Sequence, residues 1–250
     1  MRKVCIFVDG ENLRHAICDL FDPEFEKSQY LPKNADWTDF FDWLSNQCYK
    51  PDACERIRAY WYVVQFLDFY PYDIPTPQKS PETLKRLLSK HPPFQKSLSI
   101  LSGEDLTKSL QELYDELSER QQQMKHRFDG WTVIQNGIST YHRAVEFRRA
   151  GGIRYNLFDK TLGQEKAVDV KLAVDLILLK DIYDVALIVS GDQDYIPAVQ
   201  EIKDFGKSVI NTSFLTRSGK LLPGGARRLN QHTDASLEVS FSDFKKFMKV

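Results

Sequence analysis

The 250-residue chain is long enough for one large domain or two small ones, and its 42% hydrophobic and 28% charged content is that of a soluble globular protein. Its 34 basic and 35 acidic residues leave a formal net charge of −1, so nucleic-acid contacts would have to come from local basic patches. Cys5, Cys18, Cys48 and Cys54 show neither C-x-x-C pairing nor zinc-type histidine spacing; with an N-terminal apolar run too short for a signal peptide or membrane span, they read as reduced, mostly buried thiols of a cytoplasmic protein.

The first expected strand is "VCIFVD", residues 4–9, a β-branched apolar run that ends in an acid. Helices follow over 13–20 and, with an aromatic face, over 37–49. Residues 56–66, "RIRAYWYVVQF", read as a second strand. "PYDIPTPQKSP" is a proline-rich loop, and the stretch from Gly103 to Phe128 then places Leu106, Leu110, Leu113 and Leu117 at helical spacing. Residues 71–127 are therefore expected to form a helical insertion, packed on the sheet or acting as a lid or as an arm for a protein partner or a second copy.

"GIRYNLF", residues 152–158, is a weaker strand. Residues 166–179 are apolar on nearly every side, which predicts a helix buried within the domain. "DVALIVS", 184–190, is a strand, followed by a helix over 196–205 in which Pro197 is tolerated in the first turn and after which Gly206 supplies a stop. "KSVIN", 207–211, is another strand. This alternation predicts an α/β fold with a parallel sheet, as one domain over residues 1–250.

Ligands of such sheets bind beyond the C-terminal ends of the strands. Asp9 ends one strand, Asp192 and Asp194 follow another in "VSGDQDY", and Asp169 lies in the first turn of the apolar helix, where an uncompensated carboxylate is costly. Together these four could hold Mg²⁺ or Mn²⁺, hard ions that prefer oxygen ligands, and Asn12 could orient water or a phosphate oxygen. Taken singly, Asp192 or Asp194 could equally cap a helix, Asp9 could be a turn residue, and Asp175 reads as a buried partner of a Lys or Arg.

"FVDGENL", "KAVDVKLAVDL" and "LIVSGDQDYIPAV" followed by "GKSV" resemble, in order, the motifs of NYN domains in the LabA-like group of the PIN-domain nuclease superfamily. The resemblance covers roughly residues 2–66 and 130–237. It implies a PIN-like parallel sheet sandwiched by helices and a metal-dependent endoribonuclease. Asp9, Asp169, Asp192 and Asp194 would be its metal-binding acids, Asn12 their polar companion, and Ser190 a neighbour in the motif loop. The implied products carry a 5′-phosphate and a 3′-hydroxyl. The later "RRLNQHTDASLEV", with Asp234, resembles a stretch that returns to the sheet edge.

Contacts to RNA, single-stranded by preference, would come from two basic clusters placed in loops, Arg143, Arg148, Arg149 and Arg154, and Arg217, Lys220, Arg227 and Arg228, with Lys166 able to grip a phosphate. One alternative is an NYN-like module that binds RNA or protein without cutting. A TOPRIM-type site would put a Glu at the first strand end, where Asp9 stands, and no G-x-G-x-x-G follows that strand to support a dinucleotide fold.

Overall fold

β1 (Arg2–Asp9) leads directly into α1 (Gly10–Leu20), followed by α2 (Trp37–Gln47) and β2 (Cys54–Tyr70). Then come α3 (Pro81–Leu88), α4 (Pro92–Ser99), α5 (Gly103–Tyr141), β3 (Val145–Asn156) and β4 (Thr161–Leu162). The chain continues through α6 (Val168–Leu178), β5 (Val185–Val189), α7 (Ile196–Asp204), β6 (Ser208–Phe214), α8 (Arg227–Asn230), β7 (Ala235–Val239) and α9 (Phe241–Met248). This computed structural model describes residues 1–25, 29–49, 53–222 and 227–249. It divides into two compact units, the first made of Met1–Gln65, Trp131–Gly151 and Ala167–Val250, the second of Phe66–Gly130 and Gly152–Lys166.

In the first unit the strand order is β3-β2-β1-β5-β6-β7. β1 pairs in parallel with β2 and β5, and β5-β6 and β6-β7 are parallel too. Side chains alternate across a strand, so β1 feeds two layers. Val4, Ile6 and Val8 join a core with Leu13 and Ile17 of α1, Phe40 and Phe41 of α2 and Phe244 of α9. Phe7 points the other way, with its ring 5.7 Å from Tyr60 and 5.6 Å from Tyr183.

The second unit holds α3, α4, the first part of α5 and the outer ends of β2 and β3, with β4 antiparallel to β3. Its interior includes Leu84, Leu88, Leu98, Leu110, Leu117 and Met124, and the four leucine positions read as one helical stripe are not equally deep: Leu110 and Leu117 are buried, while Leu106 and Leu113 are intermediate.

Three expected elements differ. α5 runs 39 residues and reaches Tyr141, well past Phe128. The weak strand expected at 152 begins at Val145, because the arginines and paired glycines of "EFRRAGG" hide its alternation; Arg148, Arg149 and Arg154 therefore lie on a strand, not in a loop. α6 buries only one face. Val168, Leu172, Asp175 and Leu176 point inward, whereas Val170 and Leu178 are 64% and 68% exposed. A uniformly apolar helix carries no periodicity from which its packed side can be read.

Candidate active site

Asp9 closes β1 and caps α1. Its Oδ1 accepts from the Asn12 backbone N–H at 3.1 Å, as expected of an N-cap acid. Its Oδ2 accepts from Asn12 Nδ2 at 2.7 Å, Ser190 Oγ at 2.9 Å and the Tyr195 hydroxyl at 3.1 Å. The residue is only 2% exposed. Burial outweighs these donors and, with the nearby Asp169 charge, pushes the Asp9 carboxyl up to about 6.

β5 is the parallel neighbour of β1, and its end supplies the rest. Ser190 Oγ accepts from the Asp192 backbone N–H at 3.0 Å, and Asn12 Oδ1 accepts from the Gly191 N–H at 3.1 Å. Asp192 caps the 3₁₀ turn Gln193–Tyr195, its Oδ1 accepting from the Asp194 N–H at 2.9 Å. Asp169, in the first turn of α6, accepts the Tyr195 hydroxyl at 2.8 Å. Burial raises its pKa, and the like charges of Asp192 and Asp194 raise it further against the Tyr195 hydrogen bond. Tyr195 thus joins Asp9 to Asp169, the charges of Asp192 and Asp194 act on Asp169, and Asn12 ties Asp9 to the loop after β5. Asp169 and Asp194 also line a groove of about 570 Å³ walled by Val170, Val174 and Ile177 of α6 and Pro197 of α7.

Residues 107–223 match the NYN domain family. Over that stretch, just under half of the chain, the sequence is similar to an NYN domain. This family belongs to the PIN-like nuclease superfamily, and the mostly parallel sheet flanked by helices is PIN-like. The matched stretch contains Asp169, Asp192 and Asp194; Asp9 and Asn12 precede it. No curated protein matches the chain. The crystal structure of a protein of unknown function from Vibrio parahaemolyticus aligns with a TM-score of 0.44 and 15% identity, over 95% of this chain and 93% of that one.

PIN-like nucleases use divalent metals. Among the described residues, no three His, Cys, Asp or Glu side chains stand together as a ready-made cage. The donor chemistry nonetheless fits: carboxylate, amide and hydroxyl oxygens suit Mg²⁺ or Mn²⁺, and Mg²⁺ keeps several waters and needs only one or two carboxylates. The repulsion that raises the Asp169 carboxyl is of the kind a cation relieves.

The basic residues are dispersed. Arg148 donates to Glu146 Oε1 at 2.8 Å and to Asp175 Oδ2 at 3.1 Å, and Asp175 also binds Lys171 Nζ at 2.7 Å, which makes Asp175 a buried partner of cations. Arg149 donates to Gln135 and Asn136, and Arg217 donates twice to Glu24, each time at 2.9 Å. Arg143 and Arg227 are exposed, and Lys166 lies in the second unit, its backbone bridged to Gly152. Asp234 immediately precedes β7 and accepts from the N–H of Val209, near the start of β6, at 2.8 Å, away from the strand ends that carry the acids.

Two residues of the site escape a reading of the sequence for its acids. Tyr195 stands inside the quoted motif, but its neighbourhood to Asp9 and Asp169 depends on three distant segments meeting. Arg228, expected with Arg227 in a loop, lies with it on α8; its Nη1 donates to Gln193 Oε1 at 2.8 Å, between Asp192 and Asp194 in sequence.

Proposed function

We propose that the protein is a metal-dependent endoribonuclease of the LabA-like group, hydrolysing phosphodiester bonds of single-stranded RNA in the cytoplasm. The observation that supports this reading is that Tyr195 joins Asp9 to Asp169, that the charges of Asp192 and Asp194 act on Asp169, and that among the described residues no Lys or Arg forms an ion pair with any of the four. Mg²⁺ or Mn²⁺, when bound, would lower the pKa of a coordinated water and offset charge building on the phosphate.

The chain's own residues do the rest. Asp9, Asp169, Asp192 and Asp194 would hold the ion through their carboxylate oxygens. Asn12 and Ser190 keep Asp9 in one orientation. Arg228, held beside Gln193, offers a guanidinium to a substrate phosphate, and Arg143 and Arg227 remain exposed for the flanking backbone. The products carry a 5′-phosphate and a 3′-hydroxyl.

A module that binds RNA without cutting it is the second reading. It is favoured by the saturation of Asp9 Oδ2 with three donors and by the use of Asp192 as a turn cap. The two are separated by incubating labelled single-stranded RNA with the wild type and with Asp192→Asn in Mn²⁺, in Mg²⁺ and in chelator. Metal-dependent cutting that Asp192→Asn abolishes supports the nuclease; binding without cutting in every condition supports the module.

A further inference from the structure

We infer that Tyr195 is a positioning residue for the acid cluster, whose hydroxyl ties Asp9 to Asp169 and so fixes which carboxylate oxygens are offered to a divalent ion. The inference rests on the metal-site reading proposed above.

Asp9 comes from the end of β1 and Asp169 from the start of α6, segments 160 residues apart in the chain, and the Tyr195 hydroxyl lies 3.1 Å from one and 2.8 Å from the other. The tyrosine is 1% exposed, and the turn Gln193–Tyr195 leads without a break into α7, so its ring is held by packing. The packed ring holds the phenol hydroxyl, a hydrogen-bond donor, between the two carboxylates. Its single proton serves one acceptor at a time, and both acceptors belong to the cluster.

This arrangement sorts the oxygens. Asp9 Oδ2 is taken by Asn12, Ser190 and Tyr195, whereas Oδ1 accepts from the Asn12 backbone N–H. Asp169 Oδ1 is taken by Tyr195, leaving Oδ2. Without the hydroxyl nothing else bridges these two like-charged groups among the described residues, and the half-buried Asp169 is free to turn toward solvent, away from Asp9.

Tyr195→Phe keeps the ring and removes only the bridge. Calorimetric titration with Mn²⁺ is expected to give a dissociation constant about tenfold higher than in the wild type, the scale of one hydrogen bond to a charged group. In steady-state cleavage the Mn²⁺ half-saturation should rise by the same factor while KM for RNA stays unchanged, a split that general loosening of the fold would not produce. Asp169→Glu, which keeps the charge but carries the carboxylate one methylene further, provides a second variant and should weaken Mn²⁺ in the same way. Wild-type affinity in either variant overturns the inference and leaves the metal-site reading standing. If the wild type itself takes up no Mn²⁺, the metal-site reading fails, and the role given to Tyr195 fails with it.

Discussion

Asn12 grips Asp9 twice, through its backbone N–H at Oδ1 and its side-chain amide at Oδ2, at 3.1 and 2.7 Å. The remaining side-chain atom, Oδ1, accepts from the Gly191 N–H, so one amide links the end of β1 to the loop after β5. The helix cap of α1 and the carboxylate proposed to bind metal are therefore the same group, Asp9.

Replacing this amide should cost both stability and activity. Asn12→Ala leaves the Gly191 N–H and one Asp9 oxygen short of a partner, worth about 1–3 kcal/mol. For a chain of this size that corresponds to a fall in Tm of roughly 2–4 °C per kcal/mol. Asn12→Asp is nearly isosteric yet should be worse, because it exchanges the donor to Asp9 for a second negative charge. Thermal melts of the two variants at neutral pH check the order; an Asn12→Asp that melts with the wild type would contradict it.

A second expectation concerns the charge of Asp169. Its folded pKa lies above the unfolded value, through burial and then Asp192 and Asp194, so the native state holds more protons than the unfolded chain just above that unfolded value. The contribution of this group to stability is greatest at acidic pH and is lost as pH rises through the folded pKa. Asp9, raised to about 6, behaves in the same way between its unfolded value and pH 6. Asp169→Asn keeps an oxygen for the Tyr195 hydroxyl and removes the charge. It should raise Tm at pH 7.5 in low salt, and the gain should vanish near pH 4. Adding Mn²⁺ should raise the wild-type Tm and leave the variant behind. Melts over pH 4–8 with and without the ion test all three statements.

The parts of this fold that could be read from sequence are those whose signal is local. β1 and β5 are built on unbroken apolar runs, closed by Asp9 and by Ser190 and Gly191, and the rule that strand ends carry ligands then places Asp9, Asp192 and Asp194 on one side of the sheet; β6 runs past its short apolar start through Asn211, Thr212 and Ser213 to Phe214. Asp169 was legible because a carboxylate among valines and leucines needs a reason to be there. The rest depends on pairing. Nothing in "EFRRAGG" announces that Arg148 is drawn to buried Asp175, and nothing in the apolar α6 sequence says that Val170 and Leu178 face outward. The Tyr195 hydroxyl finds its acceptors only after β1, α6 and the loop after β5 have met.

Among the arginines, the structure separates those with a partner from those near the acids. Arg217 is engaged by both Glu24 oxygens, whereas Arg228 is anchored through the neutral amide of Gln193. Arg228→Ala should weaken RNA binding across sequences and reduce the slope of log K against log salt by about one, as expected for one lost phosphate contact. Arg217→Ala should change neither by a comparable amount. Fluorescence anisotropy of a labelled RNA at several salt concentrations, with catalysis blocked by Asp192→Asn, distinguishes them. Equal effects of the two substitutions would remove Arg228 from the interface.

Gly10 follows Asp9 and starts α1, and its place against β2 leaves no room for a side chain. A Cβ there would stand 2.4 Å from the Tyr62 carbonyl oxygen, 2.9 Å from Val63 Cγ1 and 3.2 Å from the Trp61 indole nitrogen. The first of these is backbone in the strand paired with β1, where Asp9 lies opposite Tyr62, so it cannot be moved by a rotamer change. Gly10→Ala must shift either α1 or β2, and overpacking of this kind costs about 1–3 kcal/mol or more. The shift also carries the Asn12 N–H away from Asp9, since both belong to the first turn of α1. The expected result is a lowered Tm together with a loss of Mn²⁺ affinity that persists at temperatures where the variant is fully folded. A variant that melts early but binds Mn²⁺ normally when folded would show that the entry of α1 does not set the geometry of the acid site.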